Sequence, residues 1–238
     1  MMQQIDRVGL LAAISALVFL AAAPGWAGSD KEYDPAIDPA DFVLTIDNPY
    51  FPLIPGTTFV YEADTDEGPL REELAVTSET RMILGVTATV VRHSEWIDGE
   101  LEEVTDDWYA QDQEGNVWYF GEYVTEYVGG MPDGHEGSWE AGVAGALPGI
   151  IMPAEPESGQ SYHQEFQEGV AEDMARTLRT NDTVSVPYGT FTDVLVTKEW
   201  SPLEPGAIEH KYYARGVGLV LVEELHGGTV RVELIDVQ

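Results

Sequence analysis

The sequence predicts an all-β, antiparallel protein, built from two duplicated meanders that form a barrel or a strongly curved sheet. Three observations carry that expectation. The first is alternation: Phe59, Tyr61 and Ala63 share one parity, followed by Leu74 with Val76 and then Val86, Ala88 and Val90, in short runs broken by Gly, Pro, Asp and Asn. That is the period-two pattern of strands and turns. The second is a pair of hairpin turns, Ile97-Asp98-Gly99 and Asp112-Gln113-Glu114-Gly115-Asn116, each flanked by β-branched or aromatic residues. The third is an internal repeat. At an offset of 104 residues, Gly85 falls on Gly189, Val90 on Val194, Glu95 on Glu199, Trp96 on Trp200 and Tyr109 on Tyr213 without a gap.

In chain order, Arg7 and the apolar run from Val8 to Ala23, with small residues at Gly25 and Ala27, read as a signal peptide over 1–27 cut near Ala27. The competing reading is an uncleaved anchor, because the run approaches the roughly 20 residues a spanning helix needs; Pro24 and the small residues after it favour cleavage. The chain has no cysteine. Lipidation at a mature N-terminal cysteine, disulfides and a thiol nucleophile are thereby excluded. A secreted or periplasmic protein with no stable membrane insertion after cleavage is expected.

Residues 28–47, rich in Asp and Pro, read as a linker. Residues 48–238 read as a single β domain of two repeats, about 56–122 and 159–224, with an inserted loop over 123–158. Leu74 aligns with Leu178, and with a one-residue adjustment upstream Gly56, Phe59 and Tyr61 approach Gly159, Tyr162 and Gln164. The stretch Ala171 to Arg179 has good helix formers. Its counterpart in the first repeat reads as strand, and Met174, Leu178 and Thr180 share a parity, so strand is expected there too. Two meanders cannot stand as flat sheets with open edges and exposed apolar faces. A barrel, a sandwich and a curved sheet over a groove all satisfy that constraint.

The net charge is −32, which repels nucleic acid and anionic lipid and argues against both as partners. The acidity reads either as solvation, screened over about 8–10 Å in salt, or as carboxylates gathered for a divalent cation. Of the cation candidates, Glu165, Glu172 and Asp173, with Glu168, gather if two strands pair across a turn at Gly169; calcium is the ion such a group would take. Asp64-x-Asp66-x-Gly68 and Asp112-x-Glu114-Gly115-Asn116 resemble calcium loops but serve as well as hairpin turns.

Catalytic signatures are absent. There is no Gly-x-Ser-x-Gly elbow, phosphate loop or complete dinucleotide fingerprint, and His135-Glu136 has Trp139 where a second zinc-ligating histidine would stand. Carboxylate pairs cannot be told from chance in so acidic a chain. No cofactor is expected beyond calcium.

Four segments, NPYFPLIPGTTFVYE (Asn48 to Glu62), DWYAQDQEGNVWYFGE (Asp107 to Glu122), GSWEAGVAGALPGIIMPAEP (Gly137 to Pro156) and the run from Val186 to Val220, together resemble a group of uncharacterised secreted bacterial proteins. The resemblance implies export and supplies no activity or residue roles. The ending YYARGVGLV resembles a hairpin of periplasmic β-proteins with lipocalin-like or lipoprotein-carrier-like folds, which speaks to fold.

Three functions follow. The first is a non-enzymatic protein holding an apolar or amphipathic small molecule, lipid-like in character, in a β-lined cavity. Leu147, Ile150, Ile151 and Met152 of the ALPGIIMPAEP loop would form its rim or lid, with Trp139, Trp108 and Trp118 as walls. The second is a divalent-cation binder, and the third a hydrolase of envelope polymer.

Overall fold

The computed structural model describes residues 33–225 and 230–238. The leader at 1–27, with its cut near Ala27, lies outside the described residues. A 3-10 turn at Pro39–Asp41, capped by the Asp38 side chain, leads into β1 (Phe42–Val43). The first meander is β2 (Thr58–Thr65), β3 (Gly68–Ile83), β4 (Val86–Ile97), β5 (Glu100–Asp112) and β6 (Val117–Val128). Five short strands follow: β7 (Met131–Gly134), β8 (Trp139–Glu140), β9 (Leu147–Met152), β10 (Ser161–His163) and β11 (Glu165–Phe166). The second meander is β12 (Met174–Val186), β13 (Gly189–Trp200), β14 (Glu209–Ala214), β15 (Gly218–Glu224) and β16 (Val230–Val237).

The sixteen strands of the described residues belong to one sheet, whose path runs β10-β12-β13-β14-β15-β16-β2-β3-β4-β5-β6-β9-β11, with β1 paired to β5 and β7 and β8 to β6 off that path. The two ends of that path, β10 and β11, are separated in sequence by Gln164 alone. Ser161–His163 pairs with β12 on one side and Glu165–Phe166 with β9 on the other, so the path returns on itself as an antiparallel, nearly closed barrel. Closure disposes of the exposed edges that a flat meander would present. It also requires a close backbone approach: a Cβ on Gly149 of β9 would sit 2.2 Å from the Gln164 carbonyl carbon.

The ALPGIIMPAEP segment is therefore wall, not lid. Leu147 to Met152 form β9, which pairs with β6 through Met152–Val117 and Ile150–Trp118, and Met152 is fully buried. Residues 28–47 are likewise no linker from Tyr33 onward. The Tyr33 hydroxyl donates to Pro148 O at 2.8 Å, β1 pairs with the end of β5, and Phe42 packs edge-on to Trp118 and Phe120.

At the 104-residue offset β3 to β6 correspond in order to β12 to β15, and β2 to the segment that carries β10, but not in one register. Tyr109 lies opposite Thr89, whereas Tyr213 lies opposite Leu195, the counterpart of Val91. The second ladder has slipped by two residues, an even step that keeps each side chain on its face. Between β3 and β12 the step is odd. The strand expected from Met174, Leu178 and Thr180 is present as β12, and its fully buried residues are Ala175 and Thr177, of the opposite parity.

Each long hairpin bends over the outer face of its own later strands. Gly85, at the β3–β4 tip, lies against Pro39, and the Arg81 guanidinium sits 4.1 Å above the Trp108 ring while pairing with Glu140. In the second repeat Tyr188, at the β12–β13 tip, donates its amide to Leu234 O at 3.1 Å. Apolar material therefore packs outside the barrel wall as well as within it, and Val194, Val196, Leu195 and Thr197 are all buried on the same strand.

One end of the barrel is closed by residues 46–54, the motif NPYFPL with its flanks. Ile46 bridges to Leu53. The Asn48 amide nitrogen donates to Gly115 O at 2.8 Å and Pro153 O at 3.2 Å, and its side-chain oxygen accepts from Tyr50 N at 2.9 Å. Asn48→Ala strands these buried groups without partners. It is expected to cost about 2–3 kcal/mol, measured as a lowered midpoint of urea unfolding at unchanged slope.

Candidate functional site: an acid-lined barrel interior

Strand alternation decides what faces the lumen. On β5 the inward positions are Glu103, Thr105, Asp107, Tyr109 and Gln111, and all five are buried. The apolar Trp108 and Ala110 take the opposite face. On β4 the inward set is Val91, His93 and Glu95, and on β3 it is Glu72, Leu74 and Val76, in the cross-strand pairs Glu72–Glu95 and Leu74–His93. A bulge on β6 adds one more acid. Asp107 pairs with Glu122 while Tyr109 pairs with Tyr119, so β6 carries an extra residue, at Gly121 with φ +133°. Both Tyr119 and Glu122 are thereby turned inward. A Cβ on Gly121 would lie 2.3 Å from Trp139 O, so the bulge also lets β8 approach.

The second repeat contributes Thr197 and Glu199 from β13 and Glu209 and Lys211 from β14. Lys211 Nζ lies 2.9 Å from Glu199 and 3.3 Å from Glu209. Thr197 and Tyr213 both donate to Glu199, at 2.7 and 3.2 Å, and the Gln164 amide donates to its other oxygen at 3.1 Å. Glu165 and Asp173 complete this group. Burial raises the carboxyls of Glu165 and Asp173, and so do their acidic neighbours, Asp173 acting on Glu165 and Glu199 on Asp173. Burial likewise lifts Glu209 to about 8 and Asp107 to about 6, against the Tyr119 hydroxyl that donates to Asp107 at 2.6 Å.

His93 and Lys211 are the cations set among these carboxylates. Burial works against charging His93, but Glu72, Glu95 and Asp107 outweigh it and carry the imidazole to about 9. Glu95 is lifted to about 8 by burial and by Glu72.

Between the two acidic groups lies a cavity of about 70 Å³. Phe51, Leu53, Leu74, Val91 and Leu219 form its apolar side, and Glu165, Asp173, Glu199 and Lys211 its charged side. That is room for on the order of five water-sized groups, well short of the roughly 300–1,000 Å³ of pockets for drug-sized ligands.

Of the residues expected to line a cavity, Ile151 does so, and Trp139 is buried edge-on to the inward Tyr119 at 5.3 Å. Trp108 and Trp118 stand on the outer face instead: Trp108 lies under Arg81, and Trp118 donates its indole N–H to Asp112 at 2.8 Å. Leu147, Ile150 and Met152 are spent on wall pairing. Of the expected metal ligands, Glu165 and Asp173 come together, but Glu172 turns away to accept the Gly169 amide at 2.8 Å. Asp112 is consumed by Asn116 and Trp118 within its own turn.

No family model matches the chain, and no curated protein matches it in sequence. Two solved structures resemble it. One is a protein from Bacteroides fragilis assigned to export and to a YmcC-like fold, 13% identical over 79% of this chain and 98% of that one, with a TM-score of 0.47. The other, from Parabacteroides distasonis and assigned as a lipoprotein, is 12% identical with the same coverages and a TM-score of 0.43. Neither likeness carries function to this chain. Among the described residues no helix is long and apolar enough to cross a membrane.

Proposed function

We propose that the protein is an exported, non-enzymatic binding protein whose barrel interior holds a small amphipathic cation, an amine with a short apolar tail. The sequence supports export through the leader at 1–27. The observation that carries the ligand class is the cavity itself, where an apolar wall of Leu53, Leu74, Val91 and Leu219 faces buried oxygens of Glu165 and Asp173 that accept no hydrogen bond. Unpaired buried carboxylate oxygens are costly, and an ammonium donating to both would satisfy them. Lys211 does not fill that role, since it is engaged by Glu199 and Glu209. The size of the space limits the tail to a few carbons; a long acyl chain does not fit.

The test is calorimetric titration with the series ethylamine to hexylamine and the matching alcohols. Amines should bind and alcohols should not. Burial raises the Glu165 carboxyl well above its ordinary range, so pairing it with an ammonium should be linked to proton release, read as a heat that varies with the ionisation enthalpy of the buffer. Glu165→Gln should weaken amine binding at least about tenfold, the loss of one charge-assisted hydrogen bond. Absence of amine binding sinks the proposal. Calcium binding lost in the same variant would instead establish the divalent-cation reading of Glu165 and Asp173.

A further inference from the structure

A second group in the interior is distinct from the amine cavity in both position and chemistry. Glu72 of β3 and His93 and Glu95 of β4 each offer one ligand atom, and these atoms lie within 4.8 Å of one another. The three residues are 0%, 1% and 2% exposed. Their placement follows from the ladder. His93 and Glu95 are two apart on one strand and so share a face, and Glu72 is the direct cross-strand partner of Glu95. His93 Nε2 stands 3.5 Å from Glu72 Oε2. That matches the roughly 3.3–3.6 Å between two ligands held about 2.0–2.2 Å from one tetrahedral ion.

The independent sign of a ligand is the lack of partners. Oε1 of Glu72 and Oε1 of Glu95 are buried with no hydrogen-bond partner, and Nε2 of His93 and Oε2 of Glu72 face each other at 3.5 Å, beyond hydrogen-bonding distance. Buried polar atoms are ordinarily satisfied, and these unsatisfied oxygens belong to two carboxylates that converge on an imidazole. The surroundings suit an ion as well. Glu103 is the cross-strand neighbour of Glu95 on the other side, and it is steadied by Thr105, whose hydroxyl donates to Glu103 Oε1 at 2.9 Å. Such outer contacts fix ligand orientation in metal sites.

We infer that Glu72, His93 and Glu95 form a binding site for one divalent first-row transition metal ion, of which Zn²⁺ is the probe. An imidazole with two carboxylates suits zinc and its neighbours, whereas calcium and magnesium take oxygen ligands throughout. The fourth position falls to water or to Glu103, which leaves room for an exchangeable ligand.

The full-length exported chain, stripped with a chelator and desalted, is equilibrated with Zn²⁺ in excess Ca²⁺, desalted again and assayed for bound metal. One equivalent of zinc should remain, and Co²⁺ in its place should give the visible absorption of a low-symmetry site with nitrogen and oxygen ligands. His93→Gln and Glu72→Gln should each weaken zinc binding at least about tenfold, the lower bound set by far milder losses of outer contacts. Circular dichroism establishes that the variants are folded. The Co²⁺ spectrum of the unaltered protein decides the matter should either variant fail to fold. No retained zinc, zinc displaced by excess Ca²⁺, or zinc retained equally by a folded His93→Gln protein would each overturn the inference.

Discussion

Gly149→Ala is expected to open the barrel and to be among the most damaging single substitutions in the chain. The added Cβ would sit 2.2 Å from the Gln164 carbonyl carbon, 2.3 Å from its oxygen and 2.6 Å from Glu165 N. All three are backbone atoms, so no rotamer change relieves the contact. Overpacking in a tight core ordinarily costs about 1–3 kcal/mol. Here relief means drawing β9 away from the segment that carries β10 and β11, and that breaks the Glu165–Pro148 and Phe166–Leu147 pairs. The loss should therefore lie at or above the top of that range, roughly 6–12 °C in melting temperature for a chain of this size. Hydrogen exchange should show the new opening at β9 and β11 first, while the β3–β4 ladder keeps its protection. A melting temperature within about 2 °C of the parent would show that β9 and the β10–β11 segment are not held in contact.

The strands, their antiparallel order and the correspondence of the two halves were legible because they depend on local parity and on the repeat. What was not legible was which parity faced inward. Aromatic residues at Trp108, Trp118 and Phe120 suggest a core on their side, and there is one, but it is the outer core made by the folded hairpin and β1. The lumen takes the other parity, which carries Glu103, Asp107, Glu199 and Lys211. In a chain of net charge −32, charged residues at alternate positions read as a solvated face. The His93-x-Glu95 and Thr197-x-Glu199 steps carried the missing signal, since the repeat superposes the two glutamates. The wall role of β9 was hidden for a different reason. Three prolines in ALPGIIMPAEP argue against a strand, yet Pro148 lies at the start of β9 and Pro153 just past its end. The bulge at Gly121, which brings Glu122 inward, depends on the approach of Trp139 and has no local signature.

The same interior should invert the usual response of stability to pH. Glu122, Glu165 and Glu209 face other acids: Glu122 meets Glu165, Asp107 and Glu103; Glu165 meets Asp173 and Asp107; Glu209 meets Glu199 and Glu224, with Lys211 opposing. Burial first, and these neighbours second, raise the carboxyls of Glu122 and Glu165 well above the ordinary range, while burial lifts Glu209 to about 8 with Lys211 working against it. An acid whose folded pKa exceeds its unfolded value binds its proton more tightly in the folded state. Its contribution to stability is whole below about pH 4.5 and is lost as the pH rises through the folded value. Over each pH unit in that window one such group removes up to ~1.4 kcal/mol. One such group alone is worth roughly 3–6 °C in melting temperature per unit in a chain of this size, and the others act in the same direction. Melts in metal-free buffer of moderate salt should therefore show the protein most stable near pH 5 and progressively weaker toward pH 8.5, where most acidic proteins hold steady. Glu122→Gln keeps the neutral form at every pH, so its melting temperature should match the parent near pH 5 and exceed it at pH 8. A parent whose stability rises from pH 5 to pH 8 would mean that these carboxylates are ionised in the folded protein.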